Sequence, residues 1–540
     1  MHPLAHNLQR KNHLVKTDIG NQIDTFGENR YPIIPLNGQI LAVLQAEQMS
    51  YRPLVRNWFP QFGEQQYGCP CISLSANIPR YLSMLFPYSP PNLITLFIFF
   101  LLSQITYLPT SSLVPMNRII DIRGRTILDS RGNPTVEAEV HTSTCIGRAA
   151  VPSGKSTGKY EAVELRDGQH AFHGLGVETA VKNIHTKISP VLKGMIVTDQ
   201  KSIDDAMNEI DGTPNKSILG ANAILAVSMA VARTASYTLK TPLYQYLGTN
   251  SFLLPTPAMN VINGGKHAGN DLEIQEYLIM PTGGKTFSQA IKICQEVYHA
   301  LKSSITSRYG KQGTNVGDEG GFAPPLIHVR DPLNLIEEAI EECGYRKKVK
   351  FALDAAASEF CHDGKYHLDK PYTSDELVDF YKGLVRDYPL VSIEDPFDQD
   401  DWRGFALLTG ELTKKVQILG DDIFVTNIER LKKGIKEGAC NALLLKPNQI
   451  GTVSETIEAA KFSFKHNYGV MVSHRSGETC DDFIADLVVA LNAGQIKSGA
   501  PCRGERTAKY NRLLRIEEHL GRKCRYAGKN FHHIHMKKRL

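Results

Sequence analysis

The sequence predicts an α/β protein in which a small α+β domain precedes a (β/α) barrel, and three observations carry that reading. Five apolar runs in the second half each end on a residue that can do chemistry: Phe351 to Asp354, Val391 to Glu394, Val416 to Asp421, Ala442 to Lys446 and Val470 to His474. Their terminal residues are spaced by 40, 27, 25 and 28 positions, a step that suits one buried strand, one return helix and two loops. Before them, strand-like alternation gives way to a long helical stretch, the order expected of an α+β unit. Barrel enzymes place their active sites at the C-terminal ends of the strands, so a polar residue closing each run reads as catalytic.

The chain opens differently. Residues 1–115 lack sustained periodicity and carry seven Lys/Arg against five Asp/Glu. No charge occurs from Tyr81 to Pro115, and Leu93 to Leu102 is almost entirely apolar, fading out by Leu108. A bilayer span needs about 20 apolar residues, and this core is shorter, with Pro87, Pro90 and Pro91 limiting it on the N-terminal side. The expectation is a segment that is disordered or not part of the mature protein. Membrane contact would follow only if 93–108 is present and inserted.

Order begins at Met116. Pro134-Thr-Val-Glu-Ala-Glu-Val140 alternates as a strand does, within a strand-like region covering 118–170. Residues 177–247 read as helical, with Ala221 to Ala230 rich in small residues and good helix formers. A Pro-rich break at Leu254 to Ala258 separates the expected domains, 116–250 and 251–540. Beyond it, Phe287, Ala290, Ile291, Cys294, Val297, Tyr298 and Leu301 recur at helical spacing, a packing stripe.

Composition excludes several classes. The net charge of +5 over 540 residues, without a basic block, does not indicate nucleic acid as the main partner. Ten scattered cysteines with no CxxC pair read as reduced cytosolic thiols.

The candidate chemistry is acidic and basic together. Asp354, Glu394 and Asp421 close successive strands, and carboxylate oxygens suit magnesium, a hard ion. Lys446 follows three leucines; burial lowers a lysine's pKa and suits it to act as a base. Glycines flank Asp318 and Glu319 in Asn315-Val-Gly-Asp-Glu-Gly-Gly321, and His267 lies in the loop Asn263 to Gly269. Taken alone, those acids read as an exposed turn and that histidine as structural or solvent-exposed. Ser473-His-Arg-Ser476, with Lys497, offers an anion site, since the arginine fork matches phosphate or carboxylate oxygens. Ser153-Gly-Lys-Ser-Thr-Gly158 has the end of a phosphate loop but alanine at 149, where that motif needs glycine. Lys348-Val-Lys350 begins its strand, away from the mouth. The histidines of Phe531 to His535 read as a surface tail.

Together these segments resemble the enolases over about residues 117–535. The motifs occur in that family's order: Asp129-Ser-Arg-Gly-Asn-Pro-Thr-Val-Glu137, Val151 to Gly158, Gly264-Gly-Lys-His-Ala-Gly269, Gly317-Asp-Glu-Gly-Gly321, Ser392-Ile-Glu-Asp-Pro-Phe397, Leu443 to Gly451, Ser473 to Thr479 and Gly494-Gln-Ile-Lys497. The resemblance implies a small α+β domain and a (β/α)8 TIM-like barrel. It implies reversible dehydration of 2-phosphoglycerate to phosphoenolpyruvate with two magnesium ions per site, the second arriving with substrate. Asp354, Glu394 and Asp421 would hold the first, and Ser156 would help hold the second. Lys446 would be the general base and a protonated Glu319 the general acid, assisted by Glu276. His267, Ser473, His474, Arg475, Ser476 and Lys497 would hold the substrate's phosphate and carboxylate. His474 counts also with the catalytic residues, and Glu276, Glu394 and Asp421 with the substrate contacts. The family implies a cytoplasmic homodimer, with Glu137 and Arg515 matching a cross-subunit pair. A superfamily member acting on a non-phosphorylated acid would lack the anion site, and a purely structural relative would show a degraded one. Lys155 departs from the pattern, standing where the family's loop usually has alanine.

Overall fold

The computed structural model describes residues 117–155, 158–168, 170–248 and 251–532. The 93–108 segment and the rest of the N-terminal stretch lie outside them, as do Ser156, His533 and His535. Among the described residues no helix is long and apolar enough to cross a membrane.

The chain first forms a three-stranded antiparallel sheet of β1 (Asp121–Leu128), β2 (Pro134–His141) and β3 (Ile146–Ala150). Helix α1 (Ala221–Thr238) packs on it. Its small residues allow close approach: a Cβ added to Gly147 on β3 would lie 2.4 Å from the Thr234 backbone nitrogen. Fifteen of the helix's 18 residues are buried, so packing on several sides, not a single amphipathic stripe, holds it.

The second part closes into an eight-stranded barrel: β4 (Thr256–Asn263), β5 (Glu276–Met280), β6 (Lys350–Asp354), β7 (Leu390–Glu394), β8 (Gln417–Gly420), β9 (Ala442–Leu445), β10 (Gly469–Ser473) and β11 (Gln495–Lys497). All five apolar runs are barrel strands. The barrel is not uniformly parallel, because β5 runs antiparallel to both β4 and β6. Two helices, α2 (Phe287–Tyr309) and α3 (Arg330–Glu342), then precede β6. The 40-residue step after Asp354 is long because it holds a 3-10 turn (Ala357–Phe360) and a flap besides its return helix. A small three-stranded flap within 361–372 comes before α4 (Ser374–Asp387).

Strand periodicity explains what faces the barrel axis. Leu444, Met471, Ala352 and Leu419 belong to an inner cluster, whereas Leu443, Leu445, Val470 and Val472 pack in the outer one against the helices. Side chains alternate along a strand, so the residue two positions beyond each inner one returns to the interior. Leu444 is thus followed on its face by Lys446, Met471 by Ser473, Ala352 by Asp354 and Leu419 by Asp421. The return helices are fixed by side-chain caps: a Thr373–Glu376 capping box starts α4, and Thr286, Asp401, Asn427 and Thr452 start α2, α5 (Trp402–Leu412), α6 (Ile428–Glu437) and α7 (Val453–Lys465).

Candidate active site

The mouth of the barrel gathers nearly every residue singled out in the sequence. His267, Glu276, Glu319, Asp354, Asp421, Lys446, Ser473, His474, Arg475, Ser476 and Lys497 line one cleft. Glu394 joins them through Lys497. Two larger open hollows beside Arg233, about 510 and 530 Å³, hold none of these groups.

The reversed strand explains one placement. Glu276 opens β5, and because β5 is antiparallel its first residue lies at the mouth, paired in register with Asp354 at the end of β6. Glu319 is carried by a loop instead. Gly320 after it has φ +86°, and an added Cβ there would lie 2.9 Å from Cys502 Sγ, so glycine is required. Neither Glu319 nor His267 is the exposed loop group that local sequence suggests: they are 2% and 5% exposed.

The lysines sit among the acids. Lys497 Nζ lies 2.8 Å from Asp354, 2.9 Å from Glu394 and 3.2 Å from Glu276. Its expected place in an anion site is therefore only part of its setting, for it contacts three buried carboxyl groups. Burial pushes Lys497 down, but those carboxylates outweigh it and hold the ammonium charged. Lys446 Nζ pairs with Asp421, whose other oxygen accepts from Gln449 at 2.7 Å. The lowered pKa expected of Lys446 is not found: burial lowers it, but Asp421 outweighs burial and raises it.

The two glutamates differ. Burial, then the neighbouring Glu319, pushes Glu276 well above the carboxylate range. Burial also acts to raise Glu319, but His474 and His267 overcome it and hold that carboxyl well below. The two neighbouring carboxyls are thus shifted in opposite directions. His474 makes the asymmetry intelligible. Its Nδ1 faces Arg506 Nη1 at 2.7 Å, and a guanidinium can only donate. The ring proton is then on Nε2, which faces Glu319 at 3.3 Å. Burial lowers the imidazole's pKa to about 3.

Several polar groups are costly as they stand. Both ring nitrogens of His267, Gln275 Oε1 and Glu276 Oε2 are buried with no hydrogen-bond partner among the described residues. Burial, then Asp354, pushes Glu394 well above its ordinary pKa. Oxygen donors crowded to that degree fit a divalent cation. The groups whose ligand atoms lie within 4.8 Å of one another are His267/Glu276/Glu319 and Asp395/Asp421/Asp422. The expected trio Asp354/Glu394/Asp421 is not among them; Lys497 bonds to Asp354 and Glu394, and Lys446 to Asp421.

Sequence reasoning missed several supporting residues. Gln275 donates to Asp354 at 3.2 Å, and Asn260 to Glu319 at 3.2 Å. Glu161 pairs with buried Arg475 at 2.8 and 3.1 Å. Arg506, wholly buried on α8 (Gly504–Leu520), donates to His474 and to the carbonyls of Asp318, Arg475 and Ser476. Gln275 adjoins Glu276, a signal that was available; Arg506 lies in an ordinary helical stretch and offered none.

Comparison with known proteins agrees with this arrangement. The family model described as "Enolase, N-terminal domain" matches residues 119–247, and "Enolase, C-terminal TIM barrel domain" matches 251–535. Enolase of Methanocaldococcus jannaschii is 59% identical over 416 residues, covering 76% of this chain and 98% of that protein. Enolase of Thermococcus kodakarensis is 58% identical over 419 residues, covering 76% and 97%. Enolase of Pyrococcus furiosus is 57% identical over 422 residues, covering 77% and 98%. The chain belongs to the enolase family, the carbon–oxygen hydro-lyases that interconvert 2-phosphoglycerate and phosphoenolpyruvate.

Proposed function

We propose that this chain performs that dehydration with Lys446 as base and the Glu276/Glu319 pair as acid. The supporting observation is their convergence: a lysine closing one strand and two glutamates whose pKa values are pushed in opposite directions line the same cleft. Lys446 takes the proton beside the substrate's carboxylate. It must first be neutral, so the Asp421 contact that keeps it charged has to weaken before turnover. The hydroxyl leaves as water with a proton from the Glu276/Glu319 pair, in which Glu319 accepts from Asn260 and is faced by His474. Arg475, Ser473, Ser476, His267 and Lys497 hold the substrate's anionic ends.

Asp354, Glu394 and Asp421 would hold one magnesium ion, and Ser156, outside the described residues, would help hold a second. When bound, magnesium supplies positive charge to a carboxylate that gains negative charge as the proton leaves. The handover at Lys497 follows: the ammonium that now neutralises Asp354 and Glu394 becomes free to face substrate.

This reading carries a cytoplasmic location and a homodimer with it. Glu137 is already paired within its own chain to Arg125 at 2.5 Å, so a partner subunit's arginine would share that carboxylate. Light scattering of the purified protein checks the dimer. For the reaction, purified protein supplied with magnesium and 2-phosphoglycerate should show rising ultraviolet absorbance of the enol product. No rise with a folded protein would overturn the reading.

A further inference from the structure

The segment preceding Ser156 is sewn to the barrel from both sides. Ser153 and Gly477 exchange backbone hydrogen bonds at 2.7 and 2.9 Å, and Arg131 donates to the Gly154 carbonyl at 3.2 Å. Past Thr157, the Lys159 amide donates to Gln399 at 2.9 Å, and the Tyr160 ring lies 3.8 Å beneath the Arg430 guanidinium. Among the described residues between these anchors, Lys155 reaches the loop that carries Glu319: its Nζ meets Asp318 Oδ2 at 3.0 Å. Asp318 is a firm anchor, because its carbonyl accepts from buried Arg506 at 2.9 Å. It directly precedes Glu319.

We propose that Lys155 is a positioning residue whose ion pair with Asp318 tethers the 151–155 segment to the loop that carries Glu319. The proposal rests on the reading of Ser156 and Glu319 as site residues. The pair is partly exposed, at 39% and 27%, so its effect is modest and screened by salt. Exposed pairs of this kind correspond to about a 1.5- to 5-fold effect on an equilibrium.

The test uses the full chain with Lys155→Ala, Asp318→Asn, the two combined, and Lys155→Arg. KM for 2-phosphoglycerate and kcat are measured at low and high salt, and amide exchange is followed across 151–161. A tether predicts that both single variants raise KM by about 1.5- to 5-fold. The combined variant should be no worse than the weaker single one, Lys155→Arg should retain the wild-type value, and the differences should shrink at high salt. Exchange across 151–161 should quicken in both single variants. If Lys155 acted only by attracting an anionic substrate, Asp318→Asn would lower KM while Lys155→Ala raised it, and that opposition overturns the proposal. Unchanged exchange in both variants overturns it as well. Wild-type protein without turnover would defeat the dehydratase reading, while the exchange arm would still decide the tether.

Discussion

Acid should unfold this protein partly through one histidine. His474 is 2% exposed, with Nδ1 against Arg506 and Nε2 against Glu319, and burial holds its pKa at about 3. In the unfolded chain a histidine titrates near 6.5. The folded value is depressed, so the unfolded state takes up a proton that the folded state refuses. The linked stability is therefore complete above about pH 6.5 and is lost as pH falls toward 3. At pH 4.5 the unfolded imidazole is two pH units below its own pKa while the folded ring remains neutral, which corresponds to about 2.7 kcal/mol lost relative to neutral pH. Urea unfolding from pH 7.5 to 4.5 reads this directly when wild type is compared with His474→Gln. The amide can still accept from Arg506 and donate to Glu319, and it has no proton to gain. The variant's stability should fall less steeply, by about 2–3 kcal/mol across that range. Parallel curves for the two proteins would refute the buried neutral imidazole.

Three further outcomes follow from the same geometry. Arg506→Met removes the donors serving three loop carbonyls and His474, and unsatisfied buried acceptors should cost about 3–5 kcal/mol in denaturant unfolding. Arg506→Lys should recover little of that, because one ammonium cannot span the same fork. Lys497→Met leaves three buried carboxylates without their counter-charge, so chelator-treated variant should melt below chelator-treated wild type and gain more on addition of magnesium. Leu444→Ala, inside the barrel, should cost about 2–5 kcal/mol, read by urea midpoint without loss of far-ultraviolet helix signal.

What the sequence revealed, and what it did not, has a geometric cause. Runs that end on Asp354, Glu394, Asp421 and Lys446 were legible because a parallel barrel strand exits at the mouth, so its last inward residue is also its last in sequence. Glu276 breaks that rule. Its strand is reversed, its mouth residue comes first, and only family resemblance pointed to it. Glu319 and His267 look like loop residues locally, and their burial comes from loops that only the closed barrel brings together. Protonation was less legible still. Lys446 follows an apolar run that suggests a lowered pKa, but Asp421, 25 residues earlier, reverses the sign. The opposite shifts of Glu276 and Glu319 were equally hidden, because they come from burial and from neighbours far apart in sequence.

Turnover of 2-phosphoglycerate by Lys446→Ala, measured beside wild type with magnesium present, tests the central claim most directly. The account predicts enol formation by wild type and none above background by the variant, with circular dichroism of the two superimposable. Wild-type rates in a folded Lys446→Ala protein would contradict it.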